Sequence, residues 1–149
     1  MNAELLKQNI GAFKDFDAVE LEDVMIFFDQ VSLAPGAELW TYGDAKKHAG
    51  FILNGKIVVR KQLNESKQHV VLGVYGAGSI IGELSLLSER PPTLSAKALE
   101  HTDLVIIENH RFIELLEHRP ELGLSLIKHL YMCTAKRLDK SYDRITSMF

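Results

Sequence analysis

Gly76-Ala77-Gly78-Ser79-Ile80-Ile81-Gly82-Glu83-Leu84-Ser85-Leu86-Leu87-Ser88-Glu89-Arg90-Pro91-Pro92-Thr93-Leu94-Ser95-Ala96-Lys97-Ala98 is the stretch on which the reading of this chain turns. Its centre is the hexamer from Gly82 to Leu87. A glycine lets the backbone come close to a ligand. The residues after Gly82 read as one short helical turn, which aims backbone N–H groups and the positive end of a small dipole at one spot. Glu83 stands at that spot, where its carboxylate can accept from a sugar hydroxyl. Pro91-Pro92 ends the turn and forces an extended exit into a return strand. Glycine, acid, short turn, proline pair and strand together make a cradle for one sugar phosphate.

Around this stretch the chain reads as short strands. Val31 and Leu33, Leu39-Trp40, Phe51-Ile52-Leu53, Ile57-Val58-Val59, His69–Tyr75, Leu94–Leu99 and Leu104–Ile107 are apolar runs. They are separated by Pro35-Gly36, Gly43-Asp44, Asn54-Gly55, the polar turn Leu63–Gln68 and Gly76-Ala77-Gly78. Asn-Gly between apolar runs is a strong hairpin signal, so the strands flanking Asn54-Gly55 are expected to pair. This spacing of strands and turns predicts a small barrel or jelly roll over about residues 29–108.

Helices are expected on both sides of the roll. Residues 3–10 form a short one with Leu5, Leu6 and Ile10 apolar. Asp17-Ala18-Val19-Glu20 has capping-box spacing, so a second starts at Asp17 and buries Val19, Val24, Phe27 and Phe28. After Glu108 the helical period returns. Asn109 is the expected N-cap, Phe112, Leu115 and Leu116 mark one face, and Pro120 suits the first turn of a final long helix. Along that helix Leu124, Ile127, Tyr131, Thr134, Leu138, Ser141, Ile145 and Met148 alternate spacings of three and four, a heptad seam. Leu126, Leu130 and Cys133 form a second stripe, expected to pack on the roll while the seam faces a partner.

The quoted stretch resembles the phosphate-binding cassette of the cyclic-nucleotide-binding domain family, of the catabolite activator and kinase regulatory-subunit type. The resemblance runs from about Phe13 to about Ile145. The family pattern is roughly Gly-Glu-x-Ala/Ser-Leu-Leu, three residues, Pro-Arg and a small or hydroxyl residue. Gly82, Glu83, Ser85, Leu86, Leu87, Pro91 and Thr93 match it. Pro92 stands where the family carries its phosphate-binding arginine, and Arg90 lies two places early. The usual glycine of the hairpin between the fourth and fifth strands is replaced by Asn64-Glu65-Ser66.

The resemblance implies a mainly β fold with α elements: a β-roll flanked by N-terminal helices and a long C-terminal helix, within a single domain spanning residues 1–149. It implies cAMP or cGMP as ligand, with Gly82, Glu83, Leu84, Ser85 and Thr93 around the ribose phosphate, Arg90 as a substitute cation, and Thr134 and Ser141 near the base. A helix-turn-helix domain follows the long helix in the family's transcription factors. This chain stops at Phe149, so on its own it is not expected to read DNA by that route. The expected partners are a second copy, packed through the C-terminal helix, and an effector protein that the sequence does not name.

Composition agrees with such a domain. Hydrophobic residues make up 46% of 149, which suits a packed globular chain. Seventeen Lys and Arg against 20 Asp and Glu give a net charge of −3, so there is no electrostatic case for nucleic acid. No apolar run is long enough to span a membrane, and no secretory signal opens the chain. The lone Cys133 excludes an internal disulfide and fits a reducing, cytoplasmic compartment. The six histidines show no pair at metal-ligand spacing, and none is expected beside Cys133. Nucleophile elbows, Walker loops and dinucleotide fingerprints are missing, so no catalytic residue, metal or cofactor is expected. Two functions remain. In one, a regulatory domain senses a cyclic nucleotide that it binds weakly because of Pro92. In the other, the fold serves as a dimeric protein-interaction module with a vestigial pocket.

Overall fold

The structure, a computed structural model, describes residues 3–41, 48–63, 67–88 and 94–149. The expected turn at Gly43-Asp44, the Asn64-Glu65-Ser66 segment and the residues Arg90, Pro91, Pro92 and Thr93 lie outside the described residues. Among the described residues two N-terminal helices, α1 (Ala3–Asn9) and α2 (Ala18–Met25), precede eight strands: β1 (Asp29–Leu33), β2 (Glu38–Trp40), β3 (His48–Asn54), β4 (Ile57–Gln62), β5 (His69–Tyr75), β6 (Ile80–Ile81), β7 (Ser95–Ala98) and β8 (Thr102–Glu108). A one-turn helix, α3 (Glu83–Leu86), interrupts them, and α4 (Asn109–His118) and α5 (Pro120–Thr146) follow. The strands form two four-stranded antiparallel sheets, ordered β1-β8-β3-β6 and β2-β7-β4-β5. This is the expected roll with its flanking helices.

The continuous apolar runs of β3 and β8 follow from burial on both faces. Ile52 and Leu104 point into the roll, where Trp40, Ile57, Val59, Ile81, Ala96 and Ala98 meet them. Ala49, Phe51, Leu53, Val105 and Ile107 point the other way, into a second core shared with Leu6, Ile10, Phe13 and the helices α2, α4 and α5. Phe28 stands edge-on to both Phe13 and Phe51, at centroid distances of 5.7 Å. Leu126 and Leu130 are buried in this second core, and Cys133 packs against it. The apolar stripe of α5 thus anchors the helix as the spacing required.

Local signals fared unevenly. The capping box is present: Glu20 N–H donates to Asp17 Oδ1 at 2.8 Å, and Asp17 N–H donates to Glu20 Oε2 at 3.0 Å. Pro120 opens α5 at its first turn. Val19, expected on the buried side of α2, is 66% exposed, because Leu21 and Val24 carry that side. Asn109 does not cap α4. Glu108 is the cap residue, and the Asn109 amide instead donates to the carbonyl of Leu86, tying α4 to α3. The largest correction concerns Asn54-Gly55. Its turn exists, with Gly55 at φ +90°, but β3 and β4 do not pair. The turn carries the chain from one sheet to the other. A Cβ at Gly55 would lie 2.5 Å from the His101 carbonyl oxygen, so the close crossing needs glycine.

Candidate functional site

Gly82 follows β6 and begins the site. Its φ of +77° is a left-handed conformation, and a Cβ there would lie 2.5 Å from the His48 carbonyl oxygen and 2.8 Å from the Trp40 ring. Only glycine lets the chain leave β6 under Trp40 and turn directly into α3. The Ser85 amide closes that turn on the Gly82 carbonyl at 3.1 Å. Ser85 and Leu86 are buried, while Leu84 is 66% exposed. The Trp40 indole N–H donates to the Leu94 carbonyl at 2.9 Å, so β2 holds the point where the chain returns toward β7.

Between this turn and α5 lies a cavity of about 340 Å³. Gly82, Glu83, Leu84 and Ser85 line one side, and Thr134, Arg137, Leu138 and Ser141 of α5 line the other. Six of the eight site residues named from sequence therefore share the cavity: Gly82, Glu83, Leu84, Ser85, Thr134 and Ser141. Arg90 and Thr93 lie outside the described residues. The Ser141 hydroxyl turns back to donate to the Arg137 carbonyl at 2.9 Å.

Glu83 accepts a hydrogen bond, though not from a sugar. Arg137 Nη1 donates to Glu83 Oε1 at 2.6 Å, and Arg137 Nη2 donates to the Ile80 carbonyl. The guanidinium also lies over the Tyr75 ring, 4.5 Å from its centroid. The two side chains are only 11% and 27% exposed, so the pair is partly shielded from bulk water. One arginine on α5 thus binds β5, β6 and α3 at once. Sequence reading does not single out Arg137. The available signal is its place on the stripe Leu126, Leu130, Cys133, which continues by a spacing of four onto a cation.

His129 contradicts the expectation that no histidine stands beside Cys133. They are four apart on α5, with His129 Nε2 3.6 Å from the Cys133 sulfur. Burial raises the pKa of the Cys133 thiol, and Arg137 and Lys136 only partly oppose it. Burial lowers the pKa of His129, and Lys136 adds to that. Among the described residues no cluster of three or more potential metal ligands occurs, and no helix is long and apolar enough to cross a membrane.

A two-sheet roll, a glycine-initiated turn beneath it and a long helix closing over the cavity define a domain of the β-roll class with flanking helices. Residues 30–119 match the family model of the cyclic nucleotide-binding domain, so the chain belongs to that family. It is 28% identical over 111 residues to the cyclic AMP receptor protein of Thermus thermophilus, covering 73% of this chain and 50% of that protein. The chain thus spans about half the length of that curated relative. Among solved structures, a cyclic nucleotide-binding domain from Methylobacillus flagellatus superposes with a TM-score of 0.83 at 28% identity, covering 99% of this chain and 82% of the other. The regulatory subunit of a cAMP-independent protein kinase A from Trypanosoma brucei shares the fold, with a TM-score of 0.71 at 17% identity over 96% of this chain and 51% of that one.

Proposed function

We propose that this chain is a ligand-gated regulatory domain. A small organic anion enters the cavity, takes Glu83 or Arg137 from its partner, and so changes how α5 sits on the roll. The Glu83–Arg137 pair carries this reading, because it joins the cassette turn to the long helix across the cavity itself. A ligand that binds better when the pair is open shifts the helix by its differential affinity for the two arrangements.

Cyclic nucleotides are weak occupants in this reading. Pro92 removes the arginine that the family places on the phosphate. Loss of such a charge-assisted contact costs about 2–5 kcal/mol, or roughly thirtyfold to several thousandfold in affinity. Calorimetric titration with cAMP and cGMP tests this. Weak binding is expected in the wild type, and Pro92→Arg should strengthen it by roughly tenfold or more. If Pro92→Arg gains nothing, Arg90→Ala decides why. Abolished binding would show that Arg90 already serves the phosphate, and a silent variant would show that the loop has diverged.

Dimerisation through α5 belongs to the same proposal. Leu124, Tyr131, Leu138, Tyr142 and Ile145 are each at least half exposed and run along one side of the helix. Two copies packed about a two-fold axis would cover them. Ile127, expected in the seam, packs against the helix–sheet core instead, so the ridge is narrower than the heptad spacing implies. This ridge also favours the second reading, an interaction module on the same fold that works through partners.

A further inference from the structure

The cavity wall is mostly hydrocarbon. Trp40, Val59, Leu72, Ile81, Leu94 and Leu138 present apolar faces to it. Its polar groups are largely committed. The Trp40 indole is held by Leu94, the Ser141 hydroxyl by the Arg137 carbonyl, and Arg137 by Glu83 and Ile80. A purine would bring several donors and acceptors into this space, and each one buried without a partner opposes binding. An aryl group brings none and gains by leaving water.

The charge pattern is equally specific. Arg137 is the one cation lining the cavity among the described residues. Its planar fork matches a carboxylate, which can replace Glu83 on it oxygen for oxygen. The cavity, about 340 Å³, lies at the small end of the range usual for organic ligands.

We infer that this pocket takes a mono- or bicyclic arylcarboxylate, its ring against Trp40, Leu94 and Leu138 and its carboxylate on Arg137 in place of Glu83. This rests on the ligand-gated reading above and supplies its occupant. The anion releases Glu83, and the apolar ring displaces water that the hydrocarbon wall holds poorly.

The chain has one tryptophan, and it lines the pocket, so its single indole N–H resonance reports occupancy. The experiment titrates the protein with naphthoate, with the neutral naphthalenemethanol, and with cAMP and cGMP, following that resonance and the heat of binding. Naphthoate is expected to shift the indole signal saturably, and to bind roughly tenfold or more tighter than either nucleotide. Arg137→Gln should cost naphthoate roughly tenfold or more affinity beyond what it costs naphthalenemethanol, because both lose the fastening of α5 and only naphthoate loses the cation. Arg137→Lys should recover part of the loss. Equal naphthoate affinity in Arg137→Gln overturns the inference. So does a nucleotide that binds as tightly as naphthoate, although the ligand-gated reading then stands. An indole signal unmoved by every compound removes both.

Discussion

At single residues, close approach decides what is allowed. Gly82→Ala forces a left-handed backbone on a residue with a Cβ and drives that Cβ into the His48 carbonyl and Trp40. The backbone term alone is about 1–2 kcal/mol, so a larger loss is expected in urea denaturation. His129 gives a pH signature. Its folded-state pKa is depressed by burial, so the unfolded chain binds the proton more readily. Stability is then full above the ordinary value of 6.5 and declines as pH falls through it. His129→Gln should flatten that part of the melting-temperature profile, and an unchanged slope would assign it to other groups. The pairing of His129 with Cys133 was there to be read, since four residues on a helix bring side chains together.

Elements show which signals are local. The Asp17 capping box was legible because both of its hydrogen bonds close within four residues. The partners of β3 and β4 were not, since Asn-Gly chemistry specifies a bend and not the strand that lies alongside. Asn109 shows the same limit: the helix begins one residue earlier, with Glu108 as its cap, and the Asn109 amide instead donates to the Leu86 carbonyl, 23 positions away. In the site, Gly82 and Glu83 could be read from their hexamer, whereas the Glu83–Arg137 pair spans 54 positions and comes from the fold. Arg137→Ala should free the distal half of α5. Hydrogen bonds to charged groups are worth about 1.5–3 kcal/mol, so amide exchange from Thr134 onward should quicken markedly. Exchange around Leu126 and Leu130, held in the core, should not change. Uniform exchange along the helix in the variant would show that Arg137 is no fastening point.

For the whole molecule, the exposed ridge of α5 sets the expected assembly. Tyr131 is 69% exposed and does not line the cavity, so Tyr131→Glu challenges the dimer without touching the site. Sedimentation at tens of micromolar should show dimers for the wild type and folded monomers for the variant. A monomeric wild type would leave the ridge to another partner. From Asp139 to the end of α5 every residue is exposed, yet the helix continues unbroken to Thr146. In the ligand-gated reading the fulcrum is Arg137, and beyond it the rod projects about 14 Å at 1.5 Å per residue. A tilt of about ten degrees at the fulcrum therefore sweeps the tip through roughly 2 Å, by the geometry of a rigid rod of that length. In the ligand-gated reading proposed above, the exposed end of α5 is a lever arm, and work done at a pocket of a few side chains would be read out as displacement at its far end.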